Sequence, residues 1–93
     1  MIDDSVALSL SHGYDAGNSA AAYLSEDINV ALRRLDIRPD GSEPSHAYYG
    51  AFVLGFYSSF ERHEIPMRRR ETFDDAMTTY APMLREIGIA VRE

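Results

Sequence analysis

The sequence predicts an all-α protein, a small bundle of three to four helices around one central, aromatic-rich helix. Apolar residues recur at spacings of three and four along most of the chain, which is the period of one helix face. The most apolar stretch, residues 46–64, is long for one strand and contains no internal turn signal. A chain of 93 residues without cysteine also favours a single domain, residues 1–93, that is held together by packing.

The central segment has two apolar faces at helical spacing. One face carries Tyr48, Phe52, Phe56 and Phe60, and the other carries Tyr49, Val53 and Tyr57. We predict a helix over about residues 45–64, because Pro66 disfavours helical geometry at the residue before it. A helix that is apolar on two sides must be covered by the rest of the chain or by another protein. Four residues are therefore predicted to meet a partner: Tyr48, Tyr49, Val53 and Tyr57.

Two rows of small residues indicate a close helix contact. Gly13, Gly17 and Ala21 are spaced by four near the N-terminus, and Ala51, Gly55 and Ser59 repeat that spacing in the central segment. Glycine costs a helix about 1 kcal/mol relative to alanine, so its presence needs compensation by close packing. We expect the two rows to face each other. The alternative is that the first two glycines break the N-terminal segment into a loop.

The first half of the chain is predicted to hold two helices, over about residues 5–24 and 26–36. Asp3, Asp4 and Ser5 suit the start of the first helix, although the alternation from Val6 to Ser11 is also compatible with a short strand. Ser25, followed by two acidic residues, suits the start of the second. Residues 38–45 contain the turn sequence Pro-Asp-Gly and are predicted to form a loop.

The last predicted helix covers about residues 67–87. Its start lies between residues 67 and 73, because three consecutive arginines, Arg68–Arg70, would be unfavourable in a first helical turn. Pro82 is expected to kink or break it, and Gly88 is a suitable stop. The arginine cluster could meet phosphates or an acidic partner. It could equally be a solvated connector whose charges pair with nearby acids.

The charge of the chain is concentrated in its first half. Residues 1–43 hold eight acidic residues against three arginines, and so carry −5 of the total formal charge of −6. Such a surface repels nucleic acid, so we expect no direct nucleic-acid binding. It could instead attract a basic protein. The acidic residues predicted to contact that partner are Asp15, Glu26, Asp27 and Asp36.

No motif in the sequence indicates catalysis. The serines lie in no G-x-S-x-G context, no glycine loop precedes a lysine, and the three histidines match no H-E-x-x-H motif. We therefore expect no enzyme activity, no cofactor and no metal. One arrangement leaves an alternative open: Glu61, His63 and Glu64 are close enough on one helix to suggest a small helical metal- or ligand-binding protein.

Neither a membrane span nor a signal peptide is expected. The longest apolar run is about fourteen residues, and a span needs roughly eighteen to twenty. The N-terminus is acidic, where a signal peptide would carry positive charge. The expected location is cytoplasmic.

These observations together predict a non-catalytic, small acidic protein-interaction module. A sharper hypothesis is an accessory or phage-type inhibitor, such as an anti-CRISPR or anti-restriction protein. Its carboxylates would mimic nucleic-acid charge and block the basic groove of a nucleic-acid-binding partner. The main alternative is a homo-oligomeric structural subunit, for example a homodimer that buries the spare aromatic face of the central helix.

Overall fold

Four α-helices make up the protein in a computed structural model that describes residues 2–23 and 27–91. They are α1 (Asp4–Tyr23), α2 (Ile28–Arg34), α3 (Glu43–Phe56) and α4 (Met67–Glu86), with a short 3₁₀ turn at Arg62–Glu64. No strand occurs in the described ranges, and the predicted all-α class is confirmed. The N-terminal segment is one continuous helix, so neither the loop nor the strand alternative holds. The predicted start of the second helix at Ser25 lies outside the described residues.

Helix α3 lies between α1 and α4. Gly13 of α1 lies beside Tyr48 of α3, and Gly17, one turn further along α1, lies beside Phe52, one turn further along α3. The two helices therefore run in the same direction. Helices α3 and α4 are antiparallel, because later residues of α3 contact earlier residues of α4. Gly50 lies against the ring of Tyr80, whereas Tyr57, just after α3, packs edge-on against Phe73, near the start of α4.

The core is centred on α3. Every residue of that helix from Gly50 to Phe56 is buried, and residues from every other helix pack around them. Among the residues whose burial the structure describes, the largest fully buried side chains are Phe52, Leu10, Leu54, Ile65, Leu84 and Val53. The short helix α2 contributes Ile28 and Ala31 to the same core. The described helices therefore share one apolar interior.

Helix α3 ends at Phe56, earlier than the expected end near residue 64. Tyr57 caps it, and the backbone N–H of Ser58 bonds to the carbonyl of Gly55 in a tighter turn. Ser58 also donates its hydroxyl to Asn18 of α1 at 2.7 Å. The turn returns Phe60 onto the ring of Tyr57, edge to face at a centroid distance of 5.3 Å. Aromatic packing and a contact with α1 thus end the helix before Pro66 does.

Helix α4 begins at Met67, the early limit of the predicted range, and continues through Pro82 to Glu86. Proline removes the backbone hydrogen bond to Thr78. Ala81 and Leu84, on either side of it, are almost fully buried, so core packing holds this part of the helix in place. Of the two expected effects of Pro82, a kink or a break, the break does not occur.

Helices α2 and α4 end in the same way. At each end, a residue with positive φ follows the helix, and the next N–H bonds back to a carbonyl in the last turn (Ile37 to Leu32, Ile89 to Leu84). In α4 that residue is Gly88, at φ 92°, whereas in α2 it is Asp36, at φ 53°. The left-handed conformation suits glycine and strains most other residues, although aspartate tolerates it better than most.

Candidate protein-interaction surface

Two of the four predicted aromatic-face residues belong to the core. Val53 is 1% exposed and Tyr57 is 4% exposed. The Tyr57 ring packs edge-on against Phe56, Phe60 and Phe73. Burial, followed by the nearby Asp27 carboxylate, raises the pKa of the Tyr57 phenol, which therefore stays protonated at neutral pH. These two side chains therefore offer almost no exposed surface to a partner in this fold.

Tyr48 is half-buried and lines a shallow groove together with Asp36, so the fold brings two predicted partner residues together. The groove lies between α1, the α2–α3 connection and the start of α3, and its cavity volume is about 440 Å³. Leu35 and Pro44 also line it. The Asp36 carboxylate is paired with Arg38 at 2.8 Å, so this groove carries little net charge.

Tyr49 is also half-buried, but it borders a different groove, where α3 meets α4. His46, Thr72, Asp75 and Tyr80 line that groove with it. Burial, with a contribution from Glu43, raises the pKa of Tyr80. The predicted aromatic face is therefore divided between two grooves and the core.

Asp27 has an internal structural role. Its carboxylate accepts a hydrogen bond from the Asn29 backbone N–H at 2.8 Å and so caps α2. The same carboxylate pairs with Arg68 and lies 3.5 Å from Arg69. The Asn29 N–H, and then the Arg68 hydrogen bond, lower the pKa of Asp27. A carboxylate satisfied this fully within the chain offers little to a partner.

The same contacts explain the arginine cluster. Arg68 and Arg69 meet the Asp27 carboxylate, whereas Arg70 donates to the backbone carbonyls of Ile65 and His63 at 2.9 and 2.7 Å. Three cations in the first turn of α4 are therefore compensated by acceptors outside the helix. The alternative in which the arginines pair with acidic residues of the same chain is therefore close to what the structure shows. The carboxylate involved, that of Asp27, lies 41 residues before Arg68 and is not a near neighbour in sequence.

The remaining predicted acids do not join these sites. Asp15 is exposed on α1, and Glu26 lies outside the described residues. Neither Asp15 nor the exposed residues Asp4 and Glu43 form an ion pair within residues 2–23 and 27–91. The carboxylates of the first half are thus spread over α1, the start of α2, the α2–α3 connection and the first turn of α3.

The alternative metal site receives no geometric support. No group of three or more potential metal-ligating side chains occurs in the described part of the chain. The Glu64 carboxylate instead accepts from the Glu61 backbone N–H at 2.7 Å, and the two glutamates form a capping box around the 3₁₀ turn. Both side chains have a local role in starting that turn.

A half-enclosed cavity of about 380 Å³ lies between α1, the end of α3 and α4. Aromatic side chains, among them Tyr14 and Phe73, form part of its wall. Arg62 and Asp74 at its edge bond each other through two hydrogen bonds, at 3.1 and 2.6 Å. Because this bidentate pair neutralises both charges, the cavity wall offers neither of them as an isolated charge to a ligand.

Sequence reasoning missed the large apolar residues that are exposed in the described ranges: Leu8 (59%), Leu35 (49%) and Met67 (79%). The sequence contained a signal for the first of them. Leu8 does not belong to the buried stripe that Val6, Leu10, Gly13 and Gly17 form on α1. A leucine outside the core stripe of an amphipathic helix is expected to face solvent or a partner.

Comparison with protein-family models, with curated proteins and with solved structures finds no match to the chain. Within the described residues, no helix has both the length and the apolar character needed to cross a membrane. Fold class and surface chemistry are therefore the grounds for a functional proposal.

Proposed function

We propose that this protein is a non-catalytic interaction module that binds a basic surface of a partner protein. The observation that carries the proposal is the set of exposed acidic side chains in the first half that form no ion pair within residues 2–23 and 27–91. Asp4, Asp15 and Glu43 are exposed and form no ion pair in the described part of the chain. In a chain of net charge −6, these carboxylates favour encounter with a positive surface.

In the sharper form of this proposal, the partner is a nucleic-acid-binding protein and the module is an inhibitor of the anti-CRISPR or anti-restriction kind. Carboxylates would occupy positions that phosphates otherwise take. Arginine recognises carboxylate and phosphate through the same planar, bidentate geometry, so one basic groove can accept either group. A cytoplasmic location belongs to this proposal as well.

The two alternative functions have less support. A homo-oligomer was expected to cover the second face of α3, but Val53 and Tyr57 on that face are already buried within one chain. A helical metal-binding protein would need Glu61, His63 and Glu64 together, and the two glutamates are engaged in the capping box.

The proposal is tested by immobilising the protein and capturing partners from a lysate at low salt. Each captured protein is then purified and retested in a binary binding assay. We expect a basic partner whose affinity falls steeply between about 50 and 500 mM salt, because screening weakens charge-driven association. If the protein occupies the nucleic-acid groove of that partner, added duplex DNA should compete for the groove and release the partner from the immobilised protein. A binary affinity that does not change with salt would contradict the proposal.

A matched pair of variants serves as control for total charge. Asp15→Asn with Glu43→Gln removes two acidic charges from the first half, and Glu71→Gln with Asp75→Asn removes two exposed charges from α4. Both variants have the same net charge. Only the first should weaken binding, by about tenfold. Equal losses of affinity in the two variants would mean that net charge, and not the position of Asp15 and Glu43, determines the affinity.

A further inference from the structure

The three large apolar residues that are most exposed in the described part of the chain lie in three different electrostatic surroundings. Met67 directly precedes the Arg68–Arg70 cluster, and Leu35 is adjacent to the neutral Asp36–Arg38 pair. Leu8 lies on α1, and residues 1–32 contain neither lysine nor arginine. Leu8 differs from the other two because Asp4 and Asp15, the exposed carboxylates on its own helix, form no ion pair within residues 2–23 and 27–91, and no arginine lies next to it in the sequence.

Leu8 also borders a groove and is not an isolated side chain. Ala7 and Ser11 of α1 line this groove with Leu8. On the other side lie Ile87, which caps the end of α4, and Ile89, which follows Gly88. The groove has a cavity volume of about 490 Å³, and four of its six lining residues are aliphatic or alanine. Asp4 is the sixth, so a carboxylate stands at the edge of an apolar floor.

The acidic character continues along the same helix face. Asp4, Leu8, His12 and Asp15 are all exposed and follow each other at spacings of four, four and three, so they form one stripe on α1. Neither aspartate in the stripe forms an ion pair in residues 2–23 and 27–91. A ligand matched to this surface carries positive charges on both sides of an aliphatic side chain.

We propose that this groove, the Leu8 groove (Asp4, Ala7, Leu8, Ser11, Ile87 and Ile89), binds a lysine- or arginine-bearing segment of a partner protein. An aliphatic side chain of that segment enters between Leu8 and the two isoleucines, and its basic residues meet Asp4 and Asp15. This inference rests on the proposed function and specifies where the basic partner docks. Burial of one aliphatic side chain anchors the segment, and the carboxylates orient it.

The test uses two synthetic lysine-rich peptides of equal length and charge that are identical except at one central position, which is leucine in one peptide and serine in the other. Each is titrated into the isotopically labelled protein, and backbone amide shifts are followed by NMR. We expect the shift changes to cluster at residues 4–15 and 87–89. The leucine peptide should bind at least about tenfold more tightly than the serine peptide, because only it can fill the apolar floor. Equal affinities, or shifts centred on Tyr48 and Leu35, would overturn the proposal.

Two leucine variants locate the effect. Leu8→Ser should remove most of the difference between the peptides, whereas Leu35→Ser, which alters a leucine of similar exposure, should leave the difference intact. Asp4→Asn with Asp15→Asn should weaken the binding of both peptides alike.

If Leu8→Ser has no effect on peptide binding while a salt-sensitive natural partner is still captured, the Leu8 groove is refuted as the docking site and the proposed interaction module stands. If the purified partner shows no salt dependence, the proposed function itself fails.

Discussion

Helix α3 has a glycine contact with each of its two neighbours, and the two contacts differ in what faces the glycine. On the α1 side, a Cβ added to Gly55 would overlap the backbone carbonyl of Tyr14, and one added to Gly17 would overlap the backbone of Phe52 and Phe56. On the α4 side, a Cβ added to Gly50 would overlap the ring of Tyr80. Backbone faces glycine in the first contact, and a side chain does in the second.

The difference matters because a ring can rotate and a helix backbone cannot move without shifting its neighbours. Glycines occur on both helices of the α1–α3 contact, so each backbone fits against the other. In the α3–α4 contact, one glycine admits one aromatic ring. We therefore expect the first contact to tolerate almost no added volume and the second to adapt at a moderate cost.

The largest effect is expected for Gly55→Ala. Alanine favours the helix by about 1 kcal/mol, but its methyl group would collide with the Tyr14 carbonyl and force the helices apart. The free energy of unfolding should fall by about 2–4 kcal/mol, measured by urea denaturation. Ser59→Ala, at an exposed position of the same predicted row, should change it by less than about 0.5 kcal/mol. Unchanged stability of Gly55→Ala would show that this contact is looser than described.

Gly50→Ala should cost less, about 1–2 kcal/mol, because the Tyr80 ring can move aside. A double-mutant cycle distinguishes the two contacts. In a Tyr80→Ala background, Gly50→Ala should be neutral or stabilising by up to about 1 kcal/mol, since alanine is the better helix former. Tyr14→Ala should not rescue Gly55→Ala, because the obstacle there is a main-chain carbonyl. Equal rescue in both cycles would remove the distinction.

The ends of α2 and α4 extend the comparison to single residues. Asp36 occupies a left-handed position of the type that Gly88 occupies after α4. Asp36→Gly should raise the free energy of unfolding by about 0.5–1 kcal/mol, and Gly88→Ala should lower it by a similar amount. Thermal unfolding of both variants checks this. If Asp36→Gly is destabilising, the Arg38 pair contributes more than an exposed ion pair usually does.

The smallest effects are expected at the polar contacts on the two sides of α3. Just after α3, Ser58 bonds Asn18 of α1, and Arg62 pairs with Asp74 of α4. The Arg62 hydrogen bond lowers the pKa of Asp74 below the ordinary aspartate value of 3.8. The pair therefore stabilises the fold above that pH, and this contribution is lost as the pH falls through the lowered pKa.

Asp74→Asn should accordingly be slightly less stable than the natural chain at neutral pH, and the gap should close in acid. Ser58→Ala should show a small loss that does not change with pH over the same range, because neither partner of that bond titrates. Urea denaturation of the three chains at neutral and acidic pH measures both differences. If Asp74→Asn remained less stable than the natural chain in strong acid, the lost stability could not be assigned to the charge of Asp74.

Most of the fold follows from local patterns, but the aromatic partner face could not be predicted in the same way. Spacings of three and four specify which residues share a helix face, whatever lies opposite that face. They do not specify whether a neighbour in the same chain covers it. The sequence suggested that short neighbours could not hide two apolar faces of one helix. In the structure α1 covers one face and α4 with its preceding turn covers most of the other, which places Tyr57 among Phe56, Phe60 and Phe73.

The sequence by itself determined the helices, the small residues repeated at intervals of four and the acidic character of the first half, because each depends on composition or on residues within a few turns of one another. Only the tertiary structure decided which acids are neutralised. Asp27 meets Arg68 from 41 residues away, whereas Asp15 meets no cation in the described residues. It also decided that Leu8 lies beside Ile87 and Ile89, at the other end of the chain. Contacts across such separations depend on how the helices pack, and local periodicity does not contain that information.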